Sequence, residues 1–519
     1  MIRDLPFVVA TLARRGLLAP GPPHRMAAQL YVLARWGFGL SGELRSAAAR
    51  SPDRVALIDD DRSVTYGELV RRSERLAGSL RDAVGLREGD RVGLLCRNHA
   101  PMVEAMVAAN LLGADAVLVN TGLSAVQLAA VVEDQRLRVL VHDDEFASAV
   151  AALPPGVVGI DEARLETLPT RGPAGEVPRP GRDGDTIVLT SGTTGTPKGA
   201  RRPTPTGFGP LCSILDRIPL RAGDGMLIAA PLFHTWGYAA LQMTIALRGT
   251  AVLRRRFNPA DAVATTVEHR CAALFAVPVM IQRLLDVGAP PASRDLRVVA
   301  VSGSALPGGL ATRFMDAYGD VLFNLYGSTE ASWASIATPA ELRRAPGTAG
   351  RPPHGTRVAI LDDAGRSAPT GAVGRIFVGN DMLFDGYTSG PTRERRGGLL
   401  DTGDLGHVDA DGLFYVDGRQ DDMIVSGGEN VFPGDVEDVL AGFPQVREVA
   451  VIGVADAEFG QRLAAYLVLR HGEHLDADAV REQVRRRLAR FSVPRDVFFV
   501  AELPRNATGK VVPRDLPRR

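Results

Sequence analysis

One stretch constrains this chain more than any other. Residues 190–199 read Thr-Ser-Gly-Thr-Thr-Gly-Thr-Pro-Lys-Gly, directly after the apolar run Ile187-Val188-Leu189. That run has the pattern of a short buried strand. Thr190, Ser191, Gly192, Thr193, Thr194 and Gly195 mix hydroxyl donors with glycines that let backbone N–H groups turn inward around an anion, and Lys198 adds a mobile positive charge. A loop of that chemistry suits a polyphosphate. In the common phosphate loop the lysine is followed by a Ser or Thr that ligates magnesium; here Lys198 lies between Pro197 and Gly199. The plainer reading is a surface loop of turn formers, but the density of phosphate-type donors immediately after a strand favours the anion.

The chain has 519 residues, too many for one ordinary core, so at least two domains are expected. Lys+Arg and Asp+Glu balance at 60 each, which gives no electrostatic argument for a nucleic-acid partner. Cys96, Cys212 and Cys271 stand far apart without metal-ligand spacing, the pattern of reduced thiols in a cytoplasmic protein. No run is long and apolar enough to span a membrane. The segments Leu5–Leu18 and Met26–Phe38 are apolar with interspersed arginines. They read as amphipathic helices packed on the body, or as interfacial helices in peripheral contact with a membrane.

Strand and helix patterns alternate along the first half. Val55–Ile58 and Ser63–Tyr66 suggest a hairpin, and helical and strand patterns then alternate up to Val139–Val141, which implies a parallel sheet covered by helices. Leu153 to Asp185 is rich in Pro and Gly and reads as a surface connection. Buried-strand patterns resume at Met226–Ala230, Ala251–Leu253, Ala273–Val277, Arg297–Val301 and Val321–Leu325, and polar or glycine residues follow several of them. In open α/β sheets ligands bind at that edge. Beyond Gly350 a smaller β element is expected. The last hundred or so residues suggest a separate α+β domain, with a helix from Ala477 to Phe491 burying Val480, Val484, Leu488 and Phe491.

Further constellations fit a nucleotide. Tyr326-Gly327-Ser328-Thr329-Glu330 supplies an aromatic plate, hydroxyls and a carboxylate suited to a base, a phosphate and magnesium; a capped strand end is the alternative. Asp404, in Asp401-Thr402-Gly403-Asp404, suits ribose hydroxyls, and Arg419 follows near the expected boundary between domains; two solvated turns would read the same. Ser426-Gly427-Gly428-Glu429-Asn430 is a tight turn where backbone could approach a ligand. Lys510, in Pro504-Arg505-Asn506-Ala507-Thr508-Gly509-Lys510, is by itself only a solvated lysine.

Taken in order, these motifs resemble the adenylate-forming superfamily from about Ser51 onward, and most closely its fatty-acyl-CoA ligases. The resemblance implies an α/β enzyme with a large N-terminal domain of packed α/β sheets plus a β element, residues 1–420, and a small mobile α+β C-terminal domain, residues 421–519, hinged at Asp421. It implies that an apolar carboxylic acid attacks ATP to give an acyl-adenylate, and that the CoA thiol then displaces AMP. It places the phosphates at Thr190 to Lys198 and adenine among Gly303, Ser304, Ala305 and Tyr326. Thr329 would contact the α-phosphate, Glu330 would hold Mg2+, Asp404 and Arg419 would bind ribose, and His234 would face the acid beside Trp236, Gly303 and Leu325. Lys510 would bridge carboxylate and α-phosphate, then leave as Gly427 and Gly428 swing toward CoA.

Ser492, and the region of Pro513, depart from relatives that carry lysine there. Three other readings keep the same residues: one half-reaction performed with a partner ligase, transfer of the acyl group to a carrier protein, and a non-catalytic nucleotide binder. Glu330 and Lys510 argue against the last, because a pure binder needs neither. The acid itself and the oligomeric state are not legible.

Overall fold

A computed structural model of the chain describes residues 4–153, 155–171, 177–190, 197–288, 295–420, 422–426, 429–456, 460–507 and 509–517. Four sheets organise the described residues. An eight-stranded sheet runs in the order Ser335–Ala337, Leu322–Tyr326, Val298–Val301, Cys271–Ala276, Gly225–Ile228, Thr250–Leu253, Val55–Ile58, Ser63–Thr65. Its interior pairs are parallel and its edge pairs antiparallel. Cys271–Ala276 and Val298–Val301 are buried at every position, as strands covered on both faces must be.

The second sheet, of seven strands, runs Gly386–Tyr387, Lys198–Arg202, Thr186–Thr190, Asp115–Leu118, Arg91–Leu95, Val139–His142, Val158–Ile160. The largest core draws on both sheets and on helices Tyr66–Ala83, Ala100–Leu111 and Thr235–Ala246. Every residue of Ala100–Leu111 is buried, because a helix apolar on all sides is stable only when it is surrounded. Its one acid, Glu104, accepts from Arg72 Nε at 2.6 Å, so the carboxylate is buried with a cation rather than alone.

The stretch from Leu153 to Asp185 is not simply a surface connection. It contains the strand Val158–Ile160 and the helix Glu162–Arg171. Leu165 and Leu168 enter the core, and Glu166 receives Arg62 and, at 3.2 Å, Arg72. Two leucines and one acid suffice to dock so short a helix, which is too little for a visible periodicity.

A third, five-stranded sheet is built from Arg357–Leu361, Gly374–Gly379, Leu399–Val408 and Arg395–Arg396, with Phe414–Arg419 pairing to Leu399–Val408. The fourth, also of five strands, comprises Glu429–Val431, Ile424–Ser426, Gly460–Leu469 and Val446–Asp456, with Asp496–Phe499 beside Gly460–Leu469. It has a core of its own, including Ile424, Leu440, Leu463 and Leu467 with Val480 and Val484. The helix carrying those valines ends at Arg487, short of the expected Phe491. Pro494 holds Val493 in an extended conformation, and Phe491 sits in a 3-10 turn, 40% exposed rather than packed.

At the other end of the chain, helices Leu5–Arg14 and Pro23–Trp36 form as expected. Phe7 stacks on His354 at 3.7 Å and Arg15 Nη2 donates to the Leu215 carbonyl at 2.6 Å. Leu5, Val9, Leu30 and Tyr31 remain exposed.

Candidate active site

The carboxyl ends of Gly225–Ile228, Cys271–Ala276, Val298–Val301 and Leu322–Tyr326 open into one cavity of about 1290 Å³. Parallel strands that stop at a common edge create such a crevice, because their connections must diverge to opposite faces. Residues singled out along some three hundred positions of sequence meet in its wall.

The strands on either side of the phosphate-type loop pair antiparallel, with Thr190 opposite Lys198. Thr190 Oγ1 donates to the Lys198 carbonyl at 3.2 Å, and Lys198 Nζ stands 5.6 Å from the Tyr387 ring centroid. Thr190 and Lys198 line the cavity. Ser191, Gly192, Thr193, Thr194 and Gly195 lie outside the described residues, as do Asp421, Gly427 and Gly428.

Tyr326 to Glu330 leave the end of a strand and bend sharply. The Ser332 N–H donates to the Ser328 carbonyl at 2.9 Å and the Ala334 N–H to that of Tyr326 at 2.8 Å. A Cβ on Gly327 would lie 2.1 Å from the Ser332 carbonyl oxygen, so only glycine permits this bend. The bend presents Thr329 and Glu330 to the cavity. Thr329 Oγ1 receives the Thr235 hydroxyl at 3.0 Å, and its carbonyl accepts from Arg202 Nη1 at 2.7 Å. Glu330 is buried and accepts from the Tyr387 hydroxyl at 2.6 Å. Burial and the Glu330 charge push the Tyr387 phenol up to about 12. A carboxylate with one oxygen engaged and its residue on the cavity wall fits magnesium that arrives on polyphosphate, since that ion keeps most of its ligands from water and phosphate.

Asp404 and Arg419 face each other directly on antiparallel strands. Tyr326, expected only as a plate for adenine, donates its hydroxyl to Asp404 Oδ2 at 2.7 Å. Burial raises the Asp404 carboxyl, opposed by Tyr326, Arg419, Arg393 and Lys510. Arg419 Nε is buried with no hydrogen-bond partner among the described residues, so this corner keeps unused donor capacity.

Lys510 comes from the fourth sheet's side of the molecule. Its backbone N–H donates to Asn506 Oδ1 at 3.0 Å, and Arg505 Nη1 donates to the Gly509 carbonyl at 2.6 Å. The residue is exposed, yet its side chain lines the cavity, where burial and then Arg419 lower its pKa against the opposing pull of Asp404 and Glu330.

His234 stands at the N-cap position of helix Thr235–Ala246, with no capping bond from its side chain, and lines the same space. Burial, with Lys510 nearby, drives its imidazole down to about 3. It is therefore neutral at any working pH, and its Nε2 is buried without a partner among the described residues. Gly303, Ser304 and Ala305 form an exposed rim, with Gly303 at φ +98°. The expected acid-side residues Trp236, Gly303 and Leu325 all line the cavity. Trp236 Nε1 donates to the Ala276 carbonyl at 3.1 Å, which fixes the indole in place.

Sequence reasoning missed Arg202, Thr235, Tyr387 and Arg393. Thr235 directly follows His234 and could have been found from that neighbour. Arg202, Tyr387 and Arg393 carried no local signal, because they reach the site only through strand pairing and the approach of separate sheets. Cys96, His99 and Asp143 form a second buried cluster of metal-ligand type. His99 already uses both ring nitrogens there, on Asp143 at 2.7 Å and on the Met102 N–H at 3.2 Å.

The AMP-binding enzyme family matches residues 44–388, and the AMP-binding enzyme C-terminal domain matches residues 435–510. A feruloyl-CoA synthase of an Amycolatopsis species is 34% identical over 486 residues, covering 91% of this chain and 97% of that protein. The o-succinylbenzoate CoA synthetase of Bacillus subtilis, solved with its acyl-adenylate intermediate, superposes with a TM-score of 0.81 at 31% identity, covering 92% of this chain and 98% of the other. The same enzyme solved with ATP and magnesium gives a TM-score of 0.81 at 32% identity, covering 91% of this chain and 98% of the other.

Proposed function

This chain belongs to the AMP-binding enzyme family, and on that premise we propose how its own residues divide the work of activating a carboxylic acid. It is an AMP-forming acid–CoA ligase. A carboxylate oxygen attacks the α-phosphorus of ATP, the bond to the β-phosphate breaks and pyrophosphate leaves; the CoA thiolate then attacks the acyl carbon and AMP leaves. The observation that carries the residue assignments is the meeting of Lys510, from the C-terminal unit, with His234, Thr329 and Glu330, from the body, in one cavity.

The first step joins two anions, so the residues must lower their repulsion. Lys510 supplies the positive charge between carboxylate and α-phosphate. Thr329, held by Thr235 and Arg202, orients the α-phosphate. Neutral His234 offers a ring nitrogen and does not transfer protons. Asp404 holds ribose hydroxyls, with Arg419 opposite and Tyr326 fixing the carboxylate. Thr190 to Lys198 receive the outer phosphates, and Gly303 to Ala305 flank the base. Glu330, braced by Tyr387, is placed to take magnesium, which would neutralise phosphate charge.

Movement between the two steps centres on Asp421. Contacts across that junction include the ion pair of Arg447 with Asp286 at 3.2 Å and the donation from Arg313 to the Ala441 carbonyl at 3.4 Å. Such polar contacts can be exchanged for water at little cost. Rotation would withdraw Lys510 and bring Gly427 and Gly428 toward CoA.

Buried free cysteines suit the reducing cytoplasm. Peripheral membrane contact through the N-terminal segment is supported by the exposure of Leu5, Val9, Leu18, Met26, Leu30 and Tyr31, and by residues 5–42 carrying four arginines and no acid. Flotation on anionic vesicles should fall when Val9, Leu30 and Tyr31 are all changed to serine; unchanged flotation contradicts membrane contact.

The ligase reading is tested by mass spectrometry of reactions with ATP, magnesium and a panel of acids, with and without CoA. Acyl-CoA that appears only with all components present supports the full reaction. Acyl-AMP that persists despite CoA would mean transfer to another acceptor.

A further inference from the structure

The acid half of the cavity is built along helix Thr235–Ala246. Trp236, Ala239, Met243 and Ala246 recur at three- and four-residue spacing and all line it, which makes them one stripe of the helix. At about 1.5 Å per residue the stripe extends about 15 Å from the His234 end. Leu211, Ile214 and Trp333 continue the apolar wall.

Glu43 interrupts it. This residue comes from helix Leu40–Arg50, which packs on Thr235–Ala246, and it lines the same cavity. Its Oε2 is buried with no hydrogen-bond partner among the described residues. The nearby cation in sequence, Arg45, is committed elsewhere, to Glu74 at 2.8 Å and to the Trp36 ring at 4.0 Å. Burial without a compensating charge pushes the Glu43 carboxyl up to about 8.

The helix that carries Glu43 meets Thr235–Ala246 about one to two turns beyond His234: its residues Leu40 and Ser41 line a small second cavity together with Tyr238 and Gln242.

A buried polar atom without a partner is costly in a folded protein and calls for a reason. Nothing in the packing provides one, and the atom sits where substrate goes. A protonated carboxyl is at once a donor and an acceptor, and a hydroxyl is its complement. A plain hydrocarbon would leave Glu43 unsatisfied, and a second carboxylate would meet another acid.

We propose that Glu43 is a specificity-determining residue, and that this ligase selects acids bearing a hydroxyl remote from the reacting carboxylate, hydrogen-bonded to Glu43. The inference rests on the acid–CoA ligase reading above.

The test measures acid-dependent pyrophosphate exchange and acyl-CoA formation with matched pairs: para-hydroxycinnamic against cinnamic acid, and an ω-hydroxy medium-chain acid against its plain counterpart. The wild type should favour the hydroxylated member of at least one pair by about tenfold or more in kcat/KM, mostly through KM. Glu43→Leu should abolish or reverse that preference, and Glu43→Gln, which still donates and accepts, should keep part of it. The Leu variant should melt no lower than the wild type, since it removes an unpartnered buried carboxyl; if it fails to fold, the wild-type preference and the Gln variant decide. Equal use of both members by the wild type, or the same preference in the Leu variant, overturns the inference and leaves the ligase reading intact. Exchange only with acids that lack a remote hydroxyl does the same. No exchange with any acid overturns both.

Discussion

The hydroxyl of Tyr326 donates to Oδ2 of Asp404 at 2.7 Å, and so ties the end of a strand in the eight-stranded sheet to a strand of a separate five-stranded sheet. The bond sits in the buried corner where Asp404 opposes Arg419. Tyr326→Phe keeps the ring and removes only this bond. It should raise KM for ATP about fivefold, with kcat within about twofold, and lower stability by about 1 kcal/mol. Steady-state kinetics and thermal melts check both numbers.

Lys510→Ala removes the cation from between two anions. Acyl-AMP formation should fall by at least about a hundredfold, whereas thioester formation from supplied acyl-AMP should stay within about threefold of the wild type. Loss of both steps together would contradict a role confined to adenylation.

Gly509 sets the approach of Lys510. Its φ is +80°, and a Cβ there would lie 2.7 Å from Val279 Cγ1. Gly509→Ala should therefore disfavour the docked loop by about 2 kcal/mol, about thirtyfold in adenylation rate. The CoA-dependent step, measured with supplied acyl-AMP, should change less, because the clash with Val279 exists only while the loop is docked.

His234 should leave no trace in the pH profile of adenylation. Its imidazole is held down to about 3 in the folded protein, so it is neutral across the usual assay range. Pyrophosphate exchange of His234→Gln should be slower than the wild type, with the same acid limb. The sign for stability is the reverse of a salt-bridged histidine. The unfolded chain takes up a proton near pH 6.5 while the folded protein does not, so the wild type should lose stability relative to His234→Gln as pH falls below about 6.5.

Glu43 titrates in the opposite sense. Its folded-state value of about 8 lies above the ordinary carboxylate range. The folded protein keeps the proton that the unfolded chain releases, so the wild type should lose stability relative to Glu43→Gln as pH rises from about 4.5 to about 8. The loss is at most about 5 kcal/mol. Tyr66 and Tyr238, which also face this carboxyl, stay protonated throughout. Paired melts across that range measure the effect.

Much of the site is legible in the sequence because its residues occur in short local runs. Thr329 and Glu330 follow a strand directly, and the Gly327 bend that presents them is itself a local requirement. Strands such as Val298–Val301 are apolar at every position, and their pattern needs no partner to be recognised. Helix Glu162–Arg171 was not legible, because its docking depends on Arg62 and Arg72, residues about a hundred positions earlier. The helix beginning at Ala477 stops short of Phe491 because Leu488 already takes an extended conformation, although the apolar spacing continues.

The sequence by itself determined the chemistry: a phosphate-type loop, a carboxylate for a metal, a late lysine and the order in which they appear. It could do so because each depends on residue type and near neighbours. Only the tertiary structure decided the electrical state and company of those groups. His234 is neutral because it is buried, Asp404 is shared with Tyr326 because two sheets meet, and Glu43 enters the acid cavity because one helix packs across another. Burial and long-range pairing are properties of three-dimensional neighbours, which sequence spacing does not encode.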